Sequence, residues 1–219
     1  DLHRWSINYT VMFWRELWGF CNVIGDPGEL IVTDQDNLES ARWFPEASLN
    51  YAENLLRSRS DKIALISQTG LLDRTYTSRA HLHDQVSQCV QHLLSKGVVK
   101  GDRVAAIMPN TAETIVAMLA ATSLGAVWTS VSPDFGEASI IERFGQTQPK
   151  ILISVDAYSY NGKVHSIINK VGKVAAAVSS VESLLVLSHY PEHALTNKSS
   201  DSTNAAKDQS SKPTPVNDW

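Results

Sequence analysis

The feature that most constrains the fold is an alternation of short apolar segments and amphipathic segments between residues 55 and 188. The apolar segments have the length of strands and are bounded by turn residues; they read KIALIS, RVAAIM, AVWTSV, KILISV and SLLVLS. The segments between them repeat apolar residues at helical steps, as Leu82, Val86 and Val90 do before the stop at Gly97. Strands separated by helices predict an α/β protein with a doubly wound, mainly parallel sheet and right-handed crossovers.

The segments on either side of this alternation differ from it in composition. Residues 1–54 are rich in tryptophan, and the helical spacing of Trp14 and Trp18 predicts an amphipathic helix that packs on something larger. SLNYAENLLRS predicts a second short helix in the same segment. Residues 191–219 are mostly polar and carry too few large apolar side chains to offset the entropy of ordering them. We therefore predict a Trp-rich helical segment over 1–54, a sheet domain over 55–190 and a polar loop or linker over 191–219.

Composition excludes several classes of function. The net charge of −4 does not indicate the basic surface that nucleic-acid binding requires. No apolar run is long enough to span a bilayer. Cys21 and Cys89 lie too far apart for a metal-binding spacing and make no disulfide framework, so a reducing compartment is favoured. His81 and His83 would diverge on a helix, and we predict no metal site. With no signal peptide in DLHRWSINYT, we expect a cytosolic protein.

The stretch VSPDFG contains the Asp-Phe-Gly triplet that holds magnesium in protein kinases. A kinase also needs a glycine-rich phosphate loop, a strand lysine and a catalytic loop, and the chain has none of these motifs. A better interpretation is that Pro133 ends the strand AVWTSV and that Gly136 frees a turn before the next helix. This places the loop at the sheet edge where α/β proteins bind ligands, although an ordinary strand-to-helix connection remains the alternative.

Two further motifs follow predicted strands. MPNTAE predicts a helix cap in which Asn110 and Glu113 form a variant of the capping box, and that interpretation alone can account for it. YNGK carries the turn signal Asn161-Gly162. Lys163 beside this turn could meet a phosphate as a point charge, or it could be an ordinary solvated lysine.

Taken together, these residues resemble the acetoacetyl-CoA synthetase family, a branch of the adenylate-forming acyl-CoA synthetase superfamily. The similar segments occur in the family's order over residues 1–187; they are HRWSINYTVMFWRELWGF, WFPEASLNYAENLL, GVVKGDRVAAIMPNTAETIVAMLAATSLGAVWTSVSPDFG and ERFGQTQPKILISVDAYSYNGK. LNYAENLL and SPDFG are the most specific of the shared motifs. The resemblance implies a fold that is the first part of the N-terminal domain of adenylate-forming enzymes, with a partial doubly wound sheet.

The resemblance also implies a two-step ligase reaction. ATP converts the carboxylate of acetoacetate into an acyl-adenylate and releases pyrophosphate, and the thiol of coenzyme A then displaces AMP. Adenylation supplies the leaving group that a carboxylate lacks, and Mg²⁺ with basic groups neutralises the phosphoryl charge. The implied small molecules are therefore acetoacetate, ATP, Mg²⁺ and coenzyme A, with no nucleic-acid partner.

Site residues are implied by position. In related acetyl-CoA synthetases, the segments that match SVSPDF and YNGK contact coenzyme A. Carried over, Ser132, Pro133 and Asp134 would line its access route, and the turn Tyr160-Asn161-Gly162-Lys163 would lie near its nucleotide end. The relatives often carry arginine in this turn, so the chain departs from their pattern at Tyr160.

The family's other motifs are not in this sequence. These are the Ser/Thr/Gly-rich phosphate loop, the segments that hold adenine, Mg²⁺ and ribose, and the C-terminal domain with its catalytic lysine. We therefore expect an N-terminal portion with no catalytic residue, no tight binding of a cofactor, and no adenylation in isolation. Its expected partner is the remaining C-terminal portion. The alternatives are a non-catalytic interaction module and a synthetase for another short acid.

Overall fold

The computed structural model describes residues 1–68 and 74–190, and the backbone of Thr214–Pro215. The chain divides into two compact units, Asp1–Arg57 and Ser58–Trp219. The predicted turn at Thr69-Gly70 lies outside the described residues, as does the predicted linker over 191–219 apart from Thr214–Pro215.

The first unit combines short helices with pairs of two-residue strands. Its helices are α1 (Leu2–Asn8), α2 (Thr10–Phe20) and α3 (Tyr51–Leu55). Its strands are β1 (Gly25–Asp26), β2 (Val32–Thr33), β3 (Arg42–Trp43) and β4 (Ser48–Leu49), paired antiparallel as β1 with β4 and β2 with β3.

Aromatic contacts hold this unit together. The predicted Trp-rich helix is α2, in which Trp14 and Trp18 lie four residues apart on one side. The ring of Trp14 lies 5.4 Å from that of Trp43, and the ring of Trp18 lies 4.9 Å from that of Phe44. Pairs at such distances add to the stability that burial alone provides. The second predicted helix is only five residues long, and its cap is Asn50, whose side chain accepts the backbone N–H of Glu53.

The second unit is built on a parallel sheet, as predicted. Four strands lie in the order β8 (Val127–Val131), β7 (Arg103–Ile107), β9 (Ile151–Val155) and β12 (Ser183–Leu187), all parallel. The backbone of β13 (Thr214–Pro215) pairs parallel with β12. Numbered along the chain, the order is 2-1-3-4-5, in which the direction of winding reverses between β7 and β9.

Helices and two hairpins complete this unit. The helices are α4 (Arg79–Ser95), α5 (Ala112–Ser123), α6 (Glu137–Thr147) and α7 (Ile168–Ala177). One antiparallel pair, β5 (Ile63–Ser67) and β6 (Thr75–Ser78), precedes α4. The other, β10 (Ala157–Tyr160) and β11 (Lys163–Ser166), comes between β9 and α7.

The core explains why the strands are continuous apolar runs. All five residues of β9 are buried, because a parallel strand is covered by helices on both faces. Phe144 and Ile140 of α6 and Leu93 of α4 are fully buried as well. Each such side chain contributes about 1.5–3 kcal/mol relative to an exposed one.

The capping box predicted at Asn110 and Glu113 is wrong. The helix begins one residue later, with Thr111 as its N-cap, and the Thr111 side chain makes no capping hydrogen bond. The hydroxyl of Thr114 instead donates to the carbonyl oxygen of Pro109 at 2.6 Å. This bond connects the first turn of α5 to Pro109, which follows β7. The start of the helix is therefore fixed without an asparagine cap.

Candidate functional site

The loop VSPDFG leaves the end of β8 and is fixed by local hydrogen bonds. The Ser132 hydroxyl donates to the Asp134 carboxylate, and the Phe135 N–H donates to the Ser132 carbonyl at 3.2 Å. The Ser132 hydroxyl, the Asp134 backbone N–H and the nearby Lys170 together hold the Asp134 pKa below its usual range. Pro133 is buried, whereas Ser132 and Asp134 are exposed. The loop therefore presents an ionised carboxylate to solvent at the end of a parallel strand.

Two basic side chains hold this loop from neighbouring helices. Lys170 of α7 donates through Nζ to the carbonyl oxygens of Pro133, at 2.7 Å, and Phe135, at 3.1 Å. The guanidinium of Arg143 on α6 lies 5.2 Å from the centre of the Phe135 ring, a distance at which a cation attracts the ring face. Sequence reasoning missed both residues, because neither belongs to a local motif.

The segment YNGK forms the turn of the β10–β11 hairpin. Asn161 and Gly162 have φ values of 49° and 70°, the left-handed conformation that this two-residue turn requires, so the predicted turn is confirmed. Tyr160 and Lys163 are directly opposite each other in register. Both are exposed. The flanking strands were not predicted.

One face of the hairpin collects aromatic and basic side chains. Paired residues share a face and alternate residues return to it, so Tyr158, Tyr160, Lys163 and His165 lie on the same face. The His165 ring lies 5.6 Å from that of Tyr158 and 6.5 Å from that of Tyr160. Such a face can stack on a planar group while its lysine meets an anion.

The charge of Asp134 in the loop affects Tyr158 in the hairpin. The pKa of Tyr158 is raised, first by burial and then by the Asp134 carboxylate and by Tyr160. Asp134 is therefore near enough to the hairpin for its charge to disfavour the tyrosinate. The two segments singled out in the sequence, the loop that contains Asp134 and the hairpin that contains the YNGK turn, lie at the same edge of the sheet because they follow the ends of the parallel strands β8 and β9.

A buried carboxylate that the sequence did not single out lies just beyond the end of β9. Asp156 is 2% exposed. Its Oδ1 accepts the backbone N–H groups of Ala157 at 2.7 Å, His189 at 2.9 Å and Tyr190 at 3.2 Å, and its Oδ2 accepts the Ser188 hydroxyl at 2.9 Å. A buried carboxylate needs this degree of hydrogen bonding. Asp156 therefore joins the ends of two neighbouring strands, β9 and β12.

A cavity of about 490 Å³ opens at the same edge, where the winding of the sheet reverses. Its lining comes from the ends of several strands and the start of α5: Ser67, Thr75, Pro109, Thr111, Ala112, Glu113, Tyr158, Ser159, Ser188, His189 and Tyr190. The Thr111 hydroxyl and the His189 Nε2 are buried with no hydrogen-bond partner among the described residues. The Nε2 atom lies 3.9 Å from the Glu113 carboxylate.

The described residues contain neither a metal-binding cluster nor a membrane-spanning helix. Within residues 1–68 and 74–190, no group of three or more His, Cys, Asp or Glu side chains is placed to hold a metal ion. In the same part of the chain, no helix is both long and apolar enough to cross a membrane.

Comparisons with known proteins identify relatives. The acetoacetyl-coenzyme A synthetase of Rhizobium meliloti (strain 1021) is 45% identical over 178 residues, which cover 81% of this chain and 27% of that protein. The malonamoyl-CoA synthetase vrtB of Penicillium aethiopicum is 35% identical over 195 residues, covering 85% of this chain and 27% of that protein. The solved structure of an acetoacetyl-CoA synthetase from Streptomyces lividans matches with a TM-score of 0.80 and 32% identity, over 91% of this chain and 30% of that one.

The chain thus spans between a quarter and a third of the length of the relatives that it matches. These findings confirm the resemblance to acetoacetyl-CoA synthetases that the sequence motifs indicate. The model of the family described as "AMP-binding enzyme" matches residues 52–218, and the chain therefore belongs to that family.

Proposed function

We propose that this chain forms the coenzyme A access region of an ATP-dependent ligase that joins acetoacetate to coenzyme A. The observation that carries the proposal is that the VSPDFG loop and the YNGK hairpin follow the ends of two parallel strands of one sheet, the edge at which α/β proteins bind ligands. The similarity to acetoacetyl-CoA synthetases supports the choice of reaction. The products of the whole enzyme would be acetoacetyl-CoA, AMP and pyrophosphate, formed in the cytosol.

The loop and the hairpin turn have different proposed roles. Ser132, Pro133 and Asp134 line the access route of coenzyme A. The Asn161-Gly162 turn projects Lys163 toward the phosphates of the nucleotide end. Lys163 is exposed and has no ion-pair partner among the described residues, so its charge is available to an anion.

The adenylation step needs residues beyond those of this chain. The sequence contains no Ser/Thr/Gly-rich loop to cradle the phosphates of ATP, and the matched part covers only 27% of the Rhizobium relative. We therefore infer that Mg²⁺ and ATP act in the whole enzyme and that the 219-residue chain alone does not adenylate acetoacetate. Acetoacetate-dependent exchange of labelled pyrophosphate into ATP by the pure chain would contradict this inference.

A synthetase for another short acid is the second candidate. The malonamoyl-CoA synthetase is as similar to this chain as several acetoacetyl-CoA synthetases are, at 35% identity against 34–45%. The longest natural polypeptide that contains this chain should be assayed with acetoacetate and malonamate in parallel. A higher kcat/KM for acetoacetate supports the first candidate, and a higher value for malonamate supports the second.

The coenzyme A site is tested by calorimetric titration of the chain with coenzyme A at low salt. We expect weak binding that Lys163→Ala reduces about tenfold, because one phosphate contact is lost. The matched control is Lys100→Ala, which removes an exposed lysine from a turn at the opposite edge of the sheet. Equal binding by the Lys163 variant and the control would reject the proposed site.

A further inference from the structure

Lys170 connects α7 to the VSPDFG loop. Its Nζ lies 2.7 Å from the Pro133 carbonyl oxygen and 3.1 Å from that of Phe135, so it spans the residue between them, Asp134. The two carbonyls are 37 and 35 residues away from Lys170 in sequence. The side chain is half-buried, and hydrogen bonds from a charged donor are stronger there than at a fully solvated position.

The same helix is anchored to the hairpin. β11 ends at Ser166, and α7 begins at Ile168 after a single connecting residue, Ile167. Ile167 is buried, and its backbone N–H donates to the Asp156 carbonyl at 2.9 Å. Lys170 lies one helical turn beyond Ile167. The hairpin therefore fixes the start of α7, and the Lys170 side chain connects this helix to the loop.

This arrangement gives Lys170 a role that its neighbours do not share. Lys173, one turn further along α7, forms an exposed ion pair with Glu137 at 3.6 Å. Exposed pairs of this kind contribute little to structure, because water competes for both partners. Lys170 instead bonds two backbone carbonyls, which cannot turn away without moving the loop itself.

We propose that Lys170 is a positioning residue for coenzyme A, holding the Ser132–Phe135 loop at a fixed place relative to the hairpin turn at Lys163. The proposal rests on the proposed function. Lys170 acts through the loop and does not itself contact coenzyme A. Its removal should therefore loosen the loop first and weaken coenzyme A binding as a consequence.

The first test measures hydrogen exchange of the peptide that covers residues 131–137. Lys170→Met removes the donor and keeps the aliphatic stem, Lys170→Arg keeps a charged donor, and Lys173→Met is the matched control on the same helix. We expect exchange about tenfold faster in Lys170→Met, with Lys170→Arg and Lys173→Met close to the wild type. Equal exchange in Lys170→Met and Lys173→Met would overturn the proposal, because the loop would then not depend on Lys170.

The second test measures coenzyme A affinity of the same variants. We expect Lys170→Met to bind about tenfold more weakly and Lys173→Met to bind like the wild type. If the wild type binds and Lys170→Met binds equally well, the positioning role is overturned while the proposed site stands. If the wild type does not bind coenzyme A, the proposed function and the coenzyme A role of Lys170 both fail, whereas the exchange result still decides whether Lys170 holds the loop.

Discussion

At the edge where the parallel strands begin, charged side chains bond the backbone of neighbouring segments, whereas at the edge where they end, several polar groups are exposed or lack a hydrogen-bond partner among the described residues. Lys150 donates to the Gly97 carbonyl at 2.7 Å and to the Asp102 carboxylate at 3.1 Å. Arg103 donates to the Gln148 carbonyl at 2.9 Å, where a cation is favourable at the C-terminus of α6.

At the edge where the strands end, several polar groups are not used in hydrogen bonds between segments of the described chain. Asp134 faces solvent, and the Thr111 hydroxyl and His189 Nε2 have no hydrogen-bond partner in the described part of the chain. Asp156 and Lys170 are exceptions at this edge. Asp156 accepts four hydrogen bonds and joins two strand ends, and Lys170 donates to two backbone carbonyls of the VSPDFG loop. We interpret the first edge as structural and propose that the second edge binds ligands.

The largest expected effect is at Asp156. Asp156→Ala would leave the N–H groups of His189 and Tyr190 without their acceptor, and we expect the free energy of unfolding to fall by about 3 kcal/mol. Asp156→Asn keeps one acceptor oxygen and should lose about half as much. Urea denaturation of the wild type and both variants measures the change, and an unchanged midpoint for Asp156→Ala would show that this network is not stabilising.

The next effect is at Lys150 on the first edge. Lys150→Met removes both hydrogen bonds of Nζ, and we expect a loss of about 1–2 kcal/mol in the free energy of unfolding. The side chains of Lys150 and Asp102 are only 22% and 21% exposed, so solvent screening is incomplete. Coenzyme A affinity should not change, and a variant that loses affinity without losing stability would contradict the division between the two edges.

A smaller effect is the pH dependence of Asp102. Its pKa is lowered from 3.8, first by the N–H of Val99 and also by Lys150. A lowered folded-state pKa means that the stabilisation is present above the unfolded pKa and is lost as pH falls through the folded pKa. Asp102→Asn should therefore be less stable than the wild type by about 1 kcal/mol at pH 7, and this difference should shrink below pH 3.8. A difference that does not depend on pH would show that the charge is not responsible.

The smallest effect is expected at Thr111 on the second edge. Since its hydroxyl is buried with no hydrogen-bond partner among the described residues, Thr111→Val should leave the free energy of unfolding equal or slightly raised. The matched control is Thr114→Val on the same helix, which loses the bond to Pro109 and should cost about 1 kcal/mol. Equal losses in a thermal-unfolding comparison would mean that the Thr111 hydroxyl is also bonded in the folded protein.

The parallel sheet was predictable because strands buried on both faces must be continuously apolar, as β9 is. The turn at Asn161-Gly162 was predictable because few other residue pairs accept its backbone angles. The site depends on contacts between distant residues, such as Lys170 with Pro133, which no local spacing reveals. Asp156 was missed because a carboxylate is seldom buried, and only the folded chain shows the donors that make its burial possible.

The proposal that coenzyme A binds where the parallel strands end is tested most directly by NMR chemical-shift changes on the isotope-labelled 219-residue chain. We predict shift changes in residues 131–137 and 157–166 at the edge where the strands end, and none in residues 97–103 or 147–150 at the edge where they begin. Changes confined to the second pair of segments, or no changes at millimolar coenzyme A, would contradict this proposal.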